Sequence, residues 1–489
     1  MKKGIPMPNL EPIVNNLWKH FGNMAALPHG SGKEDPVRDY IEQFAKTLTS
    51  INIKYHEKEA VEPGRRVMVL RKNPSEPSRF ILQAHLDMVC TPPDMKFPLH
   101  FRDTDGWRAA LDDNGSQSTL GADNGIGVAA ALALLESDLD IGFECFFTVE
   151  EESTMGGAAG FDPGLLEARI LLNIDSEEVN TITYGCAGGM ETNFHLPAVW
   201  EPVPHGMDYI EFKISGLSGG HSAMCINMGR LNAIKTVIYC LKQLEGKYEF
   251  NLTSLNGGNA KNAIPMEAVC GLIISEMESI HFTQDLDNLC RKLATRYKAN
   301  EPHFNHHIRR ELTTPQAMLP SEITGRIIET IHWLPSGVMK MNPGLPPAVM
   351  TSNNPGTANT DLESITLCCF HRSSDTGELE RVRQILETIG RFYAWEITPG
   401  VSFLPWEPNE ASPVLSLAKQ VYGPGAVVEV THGGLECGYI YQKFGGAMDC
   451  VSIGPNIADP HSVNERVDIG SVTLFMERLL QIIDRIKLM

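Results

Sequence analysis

The fold is decided by residues 121–152, GADNGIGVAAALALLESDLDIGFECFFTVEEE. The first part, Gly125–Glu136, is rich in alanine and leucine and long enough to form a helix. The second part, Phe143–Val149, is a short apolar run of the kind that forms a buried strand. Asp123 stands directly before the helix, and three glutamates, residues 150–152, follow the strand. Acidic residues therefore mark both ends of a predicted helix–strand unit.

Two further predicted strands also end in polar residues. Phe80–Ala84 is followed by His85 and Asp87, and Ile170–Ile174 is followed by Asp175. Strands that alternate with helices predict a mostly parallel sheet covered by helices. Ligands of such open sheets bind outside the carboxyl ends of the strands. We therefore expect imidazole and carboxylate groups to converge on one crevice.

The chain divides into three segments by pattern. Residues 1–188 and 400–489 both alternate strands with helices, and the second ends in a predicted helix over Gly470–Lys487. Residues 189–399 have the order strand–helix–strand–strand–helix, which predicts an α+β domain with helices on one face. Its stretch Leu334–Asn359 is rich in proline, glycine and asparagine and predicts a long loop. The sequence thus predicts an α/β fold whose first domain is discontinuous and is interrupted by an inserted α+β domain.

Composition excludes several classes of protein. The chain has 489 residues, with 41 Lys and Arg against 60 Asp and Glu, a formal charge of −19. This acidic balance argues against non-specific binding to nucleic acid or to anionic membranes. The start has no apolar region typical of a secretory signal, and no apolar run approaches the roughly 18 residues of a membrane span. The 11 cysteines include no CxxC pair, a pattern typical of reduced thiols. We therefore expect a cytoplasmic protein.

The residue types in the expected crevice point to a metal site. Histidine with carboxylates, and without cysteine, suits zinc, manganese or cobalt. A shared carboxylate can bridge two metals about 3.5–4 Å apart, as in hydrolytic two-metal sites. His461, in the polar loop DPHSVNERV, offers a further imidazole. Taken singly, Asp123 is equally well a helix cap and His85 a hydrogen-bonded structural histidine; only the set favours a metal site.

An ordered series of motifs carries a family resemblance. The motifs are QAHLDMV, TLGADNGIG, TVEEESTMGGA, NIDSEE, YGCAGG, SGLSGGHS, GGNAKNAIP, HGGLECG and PHSVNERV. Together they resemble the zinc aminopeptidase/carboxypeptidase and aminoacylase family, and NIDSEE with HGGLECG is similar to its branch of cytosolic aminoacyl-histidine dipeptidases. The resemblance covers nearly the whole chain.

The resemblance implies a two-metal catalytic domain built from residues 1–188 and 400–489. One metal would be held by His85, Asp123 and Asp175, and the other by Asp123, Glu152 and His461, with Asp123 as the bridge. Two zinc ions per chain are implied, for which Mn²⁺ or Co²⁺ can substitute.

Two acidic residues are implied in catalysis. Asp87 would accept a hydrogen bond from the second ring nitrogen of His85 and fix its tautomer. Glu151 would be the general base for a metal-activated water. Because the family often has Asp where this chain has Glu150, a register shifted by one, with Glu150 as base and Glu151 as ligand, stays open.

The resemblance also implies substrate contacts. His221 would polarise the scissile carbonyl, Asn262 would contact the substrate, and Arg372 would pair with a peptide carboxylate; a surface salt bridge is the alternative for Arg372. Glu436 would bind the free amino group. Residues 189–399 would serve as a lid and dimerisation domain, so a homodimer is expected.

The function that follows is a metal-dependent dipeptidase acting on small unblocked dipeptides, including Xaa-His and β-Ala-His. An N-acyl-amino-acid deacylase or a tripeptidase with the same two-metal centre is the alternative. A catalytically silent peptide- or metal-binding relative is a remote one, because the proposed ligands and Glu151 are all present.

Overall fold

The computed structural model describes residues 9–48, 51–55, 67–311, 313–345 and 347–489. The chain divides into two compact units. The first comprises the chain up to Cys186, Trp406–Val430 and Leu435–Met489, and the second comprises Ala187–Pro405 and Thr431–Gly434. Across these described ranges, no helix is both long and apolar enough to cross a membrane.

The elements are as follows, in chain order. Up to Cys186 the helices are α1 (Leu10–Ala25), α2 (Asp35–Lys46), α3 (Ala122–Glu136), α4 (Glu151–Thr154) and α5 (Gly156–Gly160). The strands there are β1 (Ile51–Tyr55), β2 (Met68–Lys72), β3 (Ile81–His85), β4 (His100–Thr104), β5 (Trp107–Leu111), β6 (Gln117–Ser118), β7 (Phe143–Thr148), β8 (Ile170–Asn173) and β9 (Thr181–Cys186). The middle of the chain has strands β10 (Gly188–Pro197), β11 (Glu201–Pro202), β12 (Met207–Ser215), β13 (Gly220–His221), β14 (Phe250–Gly257), β15 (Ala263–Ile264), β16 (Ala268–Ser275), β17 (Asn305–Glu311), β18 (Ala317–Met318), β19 (Gly337–Met341), β20 (Val349–Thr360), β21 (Ser364–Ser373) and β22 (Glu396–Phe403). Its helices are α6 (Ala233–Leu244), α7 (Ser279–Arg296), α8 (Ser321–Trp333) and α9 (Thr376–Phe392). The last part has α10 (Pro413–Tyr422), β23 (Val427–Thr431), α11 (Cys437–Lys443), β24 (Asp449–Ser452), β25 (Ile457–Ala458), β26 (Arg466–Asp468) and α12 (Ile469–Ile486).

The first unit is organised by a mixed sheet. Among the described residues its strand order is β1-β2-β7-β3-β8-β24-β9-β23. The four central strands β7, β3, β8 and β24 are parallel to one another, whereas β1, β2 and β9 pair antiparallel. Every residue of β3 and β7 is buried, as expected for parallel strands covered on both faces. The predicted mixed α/β fold is confirmed, with its parallel part confined to the middle of the sheet.

Helix α3 forms the centre of this unit. Ala122, Asn124 and all residues from Ile126 to Leu135 are buried, because the helix is apolar on every side and packs between α1 and β3. Burial of this whole helix fixes its N-terminus, and therefore Asp123, relative to the carboxyl end of β3.

The second unit is an α+β domain built on a larger antiparallel sheet. Its described strand order is β17-β12-β16-β14-β20-β21-β10-β22, with β19 paired to β20. Helices α6, α8 and α9 pack against this sheet. Their apolar residues form one core with those of the strands, including Ile234, Ile327 and Leu386.

The prediction of a long loop over Leu334–Asn359 is wrong. The segment contains β19 and most of β20, and β20 pairs along its length with β21. Its polar residues are buried: Thr351, Asn353 and Asn354 are each at most 1 % exposed. The register shifts between Pro355 and Thr357, so the proline sits at an irregularity and not in the regular ladder. Tertiary pairing thus overrides a composition typical of turns.

Candidate metal centre and active site

The predicted crevice residues do follow the central strands of the first unit. His85 is the last residue of β3, Glu151 begins α4 directly after β7, and Asp175 follows β8. Because β7, β3 and β8 are parallel neighbours, these strand ends lie at the same edge of the sheet.

All five predicted metal ligands meet there in two groups that share Asp123. In one group, Nε2 of His85 lies 3.1 Å from Oδ1 of Asp123 and 3.2 Å from Oδ1 of Asp175. In the other, Nε2 of His461 lies 3.1 Å from Oδ2 of Asp123 and 2.9 Å from Oε2 of Glu152. The two oxygens of Asp123 therefore face different histidines. Candidate ligand atoms of His85, Asp123 and Glu152 also lie within 4.8 Å of one another.

These residues fit divalent metal ions. Oε1 of Glu152 is buried and makes no hydrogen bond, although a buried carboxylate oxygen without a partner is costly. Ligand atoms about 2.1 Å from a shared zinc ion lie about 3.0–3.4 Å apart, close to the separations observed. Imidazole and carboxylate ligands suit zinc, manganese or cobalt.

The charges of the cluster also favour a cation. Burial, together with the charges of Asp123 and Glu152 and against that of His85, raises the pKa of Asp175 to about 7. Hydrogen bonds to Asp123 and Glu152 raise the pKa of His461 to about 11. In the described part of the chain His85 and His461 pair with these carboxylates, and a divalent cation would add positive charge where several carboxylates lie close together.

Asp87 contacts the second ring nitrogen of His85 with both a main-chain and a side-chain oxygen. Nδ1 of His85 hydrogen-bonds the main-chain oxygen of Asp87 at 2.9 Å, while the Asp87 carboxylate is 3.5 Å away. The carboxylate also accepts hydrogen bonds from the main-chain N–H groups of Glu151 (3.0 Å) and Glu152 (3.1 Å) and from the hydroxyl of Ser31 (2.7 Å). Asp87 therefore holds the start of α4, where both glutamates lie.

The three glutamates after β7 point in different directions. Glu152 contacts His461. Burial, with the charges of Asp175, Glu152 and Glu436, raises the pKa of Glu151 well above its usual range. The carboxylate of Glu150 accepts a hydrogen bond from the hydroxyl of Thr154 at 3.2 Å. The placement favours Glu152 over Glu151 or Glu150 as the residue facing the metal ligands.

Glu436 is buried, and only one of its two carboxylate oxygens has hydrogen-bond partners. Its side chain has no solvent exposure. Its Oε2 accepts hydrogen bonds from Nε2 of Gln83 (2.6 Å) and the hydroxyl of Thr148 (2.5 Å). Burial raises the pKa of Glu436 to about 8. Oε2 is therefore occupied by side chains of the sheet, whereas Oε1 is buried without a hydrogen bond, and the contact with a substrate amine stays a prediction.

Two carboxylates near the centre had no role in the sequence analysis. Burial, and then the charges of Asp123 and Asp175, raises the pKa of Glu177 to about 8. Glu465 is 2 % exposed and accepts main-chain hydrogen bonds from the residues leading to Asp123. Their positions could have identified them, because Glu177 lies within the motif NIDSEE and Glu465 within PHSVNERV.

The second unit brings the other predicted residues close to one another. His221, on β13, pairs with Ala263 of β15, and the main-chain oxygen of Asn262 accepts a hydrogen bond from Ser222 at 2.8 Å. Partial burial, and then the charge of Arg372, lowers the pKa of His221 to about 4. The positive charge of Arg372 therefore disfavours protonation of His221.

Arg372 is a buried cation without an acidic partner. It is 4 % exposed, and its guanidinium lies 4.8 Å from the ring centre of Phe370 and 5.6 Å from that of Phe403. Its Nε makes no hydrogen bond, and among the residues that the structure describes it forms no salt bridge. Burial lowers the pKa of Arg372 to about 10. The alternative of a surface salt bridge is therefore excluded within the described chain.

His432, for which no role was predicted, belongs to the same cluster. His432 is 8 % exposed, and its Nε2 hydrogen-bonds the hydroxyl of Ser352 at 2.7 Å. Burial, and then the charges of Arg372 and His221, lowers the pKa of His432 to about 3. A neutral His432 therefore accompanies the cation of Arg372.

The chain is similar to known peptidases over most of its length. The profile of "Peptidase family M20/M25/M40" matches residues 81–485. The cytosol non-specific dipeptidase of Escherichia coli K12 is 30% identical over 484 residues, covering 96% of this chain and 97% of that protein. The crystal structure of aminoacylhistidine dipeptidase from Vibrio alginolyticus matches with a TM-score of 0.84 and 28% identity, covering 96% of both chains. A tripeptidase from Staphylococcus aureus shares the fold at a TM-score of 0.54 and 17% identity, covering 99% of this chain and 100% of that one.

Proposed function

The chain belongs to peptidase family M20/M25/M40, and from that premise we propose that it is a metal-dependent dipeptidase that hydrolyses unblocked dipeptides. The main observation in support of this function is the similarity to the cytosol non-specific dipeptidase over nearly the full length of both chains. The likeness to the aminoacylhistidine dipeptidase supports Xaa-His and β-Ala-His dipeptides as substrates. Neither relative favours the deacylase or the tripeptidase alternative.

Two zinc ions are the proposed cofactor, with manganese or cobalt as substitutes. His85, Asp175 and Asp123 would hold one ion, and Asp123, Glu152 and His461 the other. The two-sided contacts of Asp123 support this division. When bound, the ions supply Lewis-acid polarisation of the reacting groups.

Glu151 is the proposed general base and acid. Its neighbour Glu152 contacts His461, and the main-chain N–H groups of both glutamates are held by Asp87. A carboxylate fixed next to the ligand cluster can take a proton from the attacking water and deliver it to the leaving amine. Asp87 would act by positioning this pair and by fixing His85 through its main-chain oxygen.

The second unit, the proposed lid, would supply substrate contacts. Arg372 would bind the C-terminal carboxylate of the peptide, since a planar guanidinium pairs with a carboxylate through two hydrogen bonds. The absence of an acidic partner near Arg372 in the described chain supports this role. His221 would stabilise the developing oxyanion, and Asn262 beside it would orient the peptide.

A cavity of the first unit suits a peptide side chain. It has a volume of about 460 Å³ and reaches Glu152. Its walls include Met88, Met95 and Phe97, with Lys33 as a charged residue. We infer that this position accepts a side chain with both apolar and polar parts.

Assembly and location are also proposed. Exposed Met224, Met228 and Met266 on the second unit (63 %, 48 % and 49 % exposed) are apolar side chains of the kind that a protein interface covers. They support a homodimer formed through this unit. A cytoplasmic location is supported by the cytosolic relative.

The function is tested by metal analysis combined with turnover. Metals per chain are counted in purified protein, and hydrolysis of Ala-His, β-Ala-His and N-acetylated dipeptides is followed before and after chelation. We expect about two metals per chain and cleavage of free dipeptides that chelation abolishes and zinc restores. A preference for acetylated substrates would overturn the dipeptidase assignment in favour of the deacylase.

A further inference from the structure

Glu465 makes an unusual set of contacts at the start of α3. Its Oε2 accepts hydrogen bonds from the main-chain N–H groups of Leu120 (2.8 Å) and Gly121 (3.1 Å). Its Oε1 accepts those of Ala122 (2.8 Å) and Asp123 (3.4 Å). One carboxylate thus binds four successive N–H groups.

These N–H groups need a partner that the local sequence does not provide. The first N–H groups of a helix have no intrahelical acceptor, and the usual partner is a Ser, Thr, Asp or Asn side chain at the residue before the helix. Ahead of the regular helix, Asp123 and Asn124 have non-helical dihedral angles, and Gly121 has no side chain to offer. The partner comes instead from Glu465, more than 340 residues away in sequence.

The same side chain connects two of the proposed metal ligands. At one end it binds the main chain of Asp123, whose carboxylate faces both histidines. At the other end it belongs to the loop of His461, and its own N–H group bonds the main-chain oxygen of Ser462 at 3.1 Å. Displacing Glu465 would therefore leave the direct contact between the side chains of Asp123 and His461 without this support from their main chains.

We propose that Glu465 is a positioning residue that holds Asp123 and His461 in the geometry required to bind metal. The inference rests on the proposed metal site. Side chains that hold metal ligands in place typically contribute 10–100-fold to metal affinity. Glu465 acts here through the backbone of one ligand and the loop of another.

The test compares Glu465→Gln with Asp468→Asn, a matched change from carboxylate to amide. Asp468 caps α12 and accepts hydrogen bonds from Gly470 (2.9 Å) and Ser471 (3.2 Å), but it contacts no proposed ligand. Zinc affinity is measured by competition with a fluorescent chelator, and the Tm of metal-depleted protein is measured alongside it. We expect both variants to lower Tm, and only Glu465→Gln to weaken zinc binding, by 10–100-fold. At saturating zinc, kcat should recover while KM stays near that of the wild type.

Wild-type zinc affinity in Glu465→Gln, or an equal loss in Asp468→Asn, would reduce Glu465 to an ordinary helix cap. If Glu465→Gln does not fold, Glu465→Asp keeps the charge and withdraws it by one methylene; an unchanged affinity in that variant overturns the proposal equally. Zinc affinity does not depend on turnover. A wild-type protein that binds zinc but cleaves no dipeptide would refute the proposed function and leave this inference standing.

Discussion

Replacing Arg372 by methionine tests substrate recognition and stability together. The guanidinium is 4 % exposed and has no acidic partner in the described chain. Burial lowers its pKa from the ordinary value to about 10. The ordinary pKa of arginine is about 12.5, and one pKa unit corresponds to about 1.4 kcal/mol. Burying the charged guanidinium therefore lowers the free energy of unfolding by about 3 kcal/mol.

Part of that cost is offset by aromatic contacts. The guanidinium lies over Phe370 and Phe403, and each such contact contributes about 0.5–2 kcal/mol. Methionine fills a similar volume and makes favourable contacts with aromatic rings. We therefore expect Arg372→Met to stabilise the substrate-free protein by about 1–2 kcal/mol, measured by urea unfolding.

The same change should impair catalysis. Removing one partner of a buried charge pair costs about 2–5 kcal/mol, which corresponds to a loss of about 30-fold to several thousand-fold in kcat/KM for dipeptides. Dipeptide amides lack the carboxylate, so their slower hydrolysis should change little in the variant. The comparison isolates recognition of the carboxylate from any general effect on the enzyme.

Arg383→Met serves as the matched control. Arg383 lies on α9 and pairs with Glu380 and Glu387, so its removal should leave stability within about 1 kcal/mol and kcat/KM unchanged. A lower free energy of unfolding for Arg372→Met than for the wild type would contradict the expected stabilisation. The proposed recognition of the carboxylate is refuted if that variant hydrolyses free dipeptides and their amides with unchanged kcat/KM.

Three further predictions concern catalysis, metal and pH. Glu151→Gln should retain metal, measured by elemental analysis, and lose about 10²–10⁴-fold in kcat because proton transfer is removed; wild-type turnover would exclude it as the base. Removing metal with a chelator should lower Tm, since a ligand at 100 times its Kd contributes about 2.7 kcal/mol; an unchanged Tm in calorimetry would argue against an occupied site. His371 is fully buried with neither ring nitrogen hydrogen-bonded, and burial, then the charge of Arg383, lowers its pKa to about 4. The unfolded chain takes up this proton near pH 6.5 and the folded chain only near pH 4, so stability is lost as pH falls between those values, by up to about 3 kcal/mol. His371→Leu should lose that much less stability on acidification, and parallel pH profiles of the two proteins would contradict the assignment.

Much of the candidate site followed from local sequence. Each of the strands β3, β7 and β8 is a short apolar run with polar residues at its carboxyl end. Parallel strands place such ends at one edge of a sheet, so His85 and Asp175 were predictable as neighbours without knowledge of any contact. The apolar sequence of α3 likewise predicts a buried helix.

Other features depended on contacts between distant residues. The loop predicted over Leu334–Asn359 is largely strand, because the pairing of β20 with β21 outweighs the turn propensity of its residues. The prediction for Glu436 did not anticipate that Gln83 and Thr148 would bind one oxygen of its carboxyl group.

The pattern of apolar strands ending in polar residues was enough to predict that His85 and Asp175 lie together at the candidate metal centre, because parallel strands end at one edge of a sheet. How these groups are held depends on contacts that the fold creates. The carboxylate of Asp87 binds the main chain of Glu151 and Glu152, and Glu465 binds the main-chain N–H groups that lead to Asp123. Main-chain N–H groups are identical at every non-proline residue, so the sequence carries no mark of which distant carboxylate will bind them.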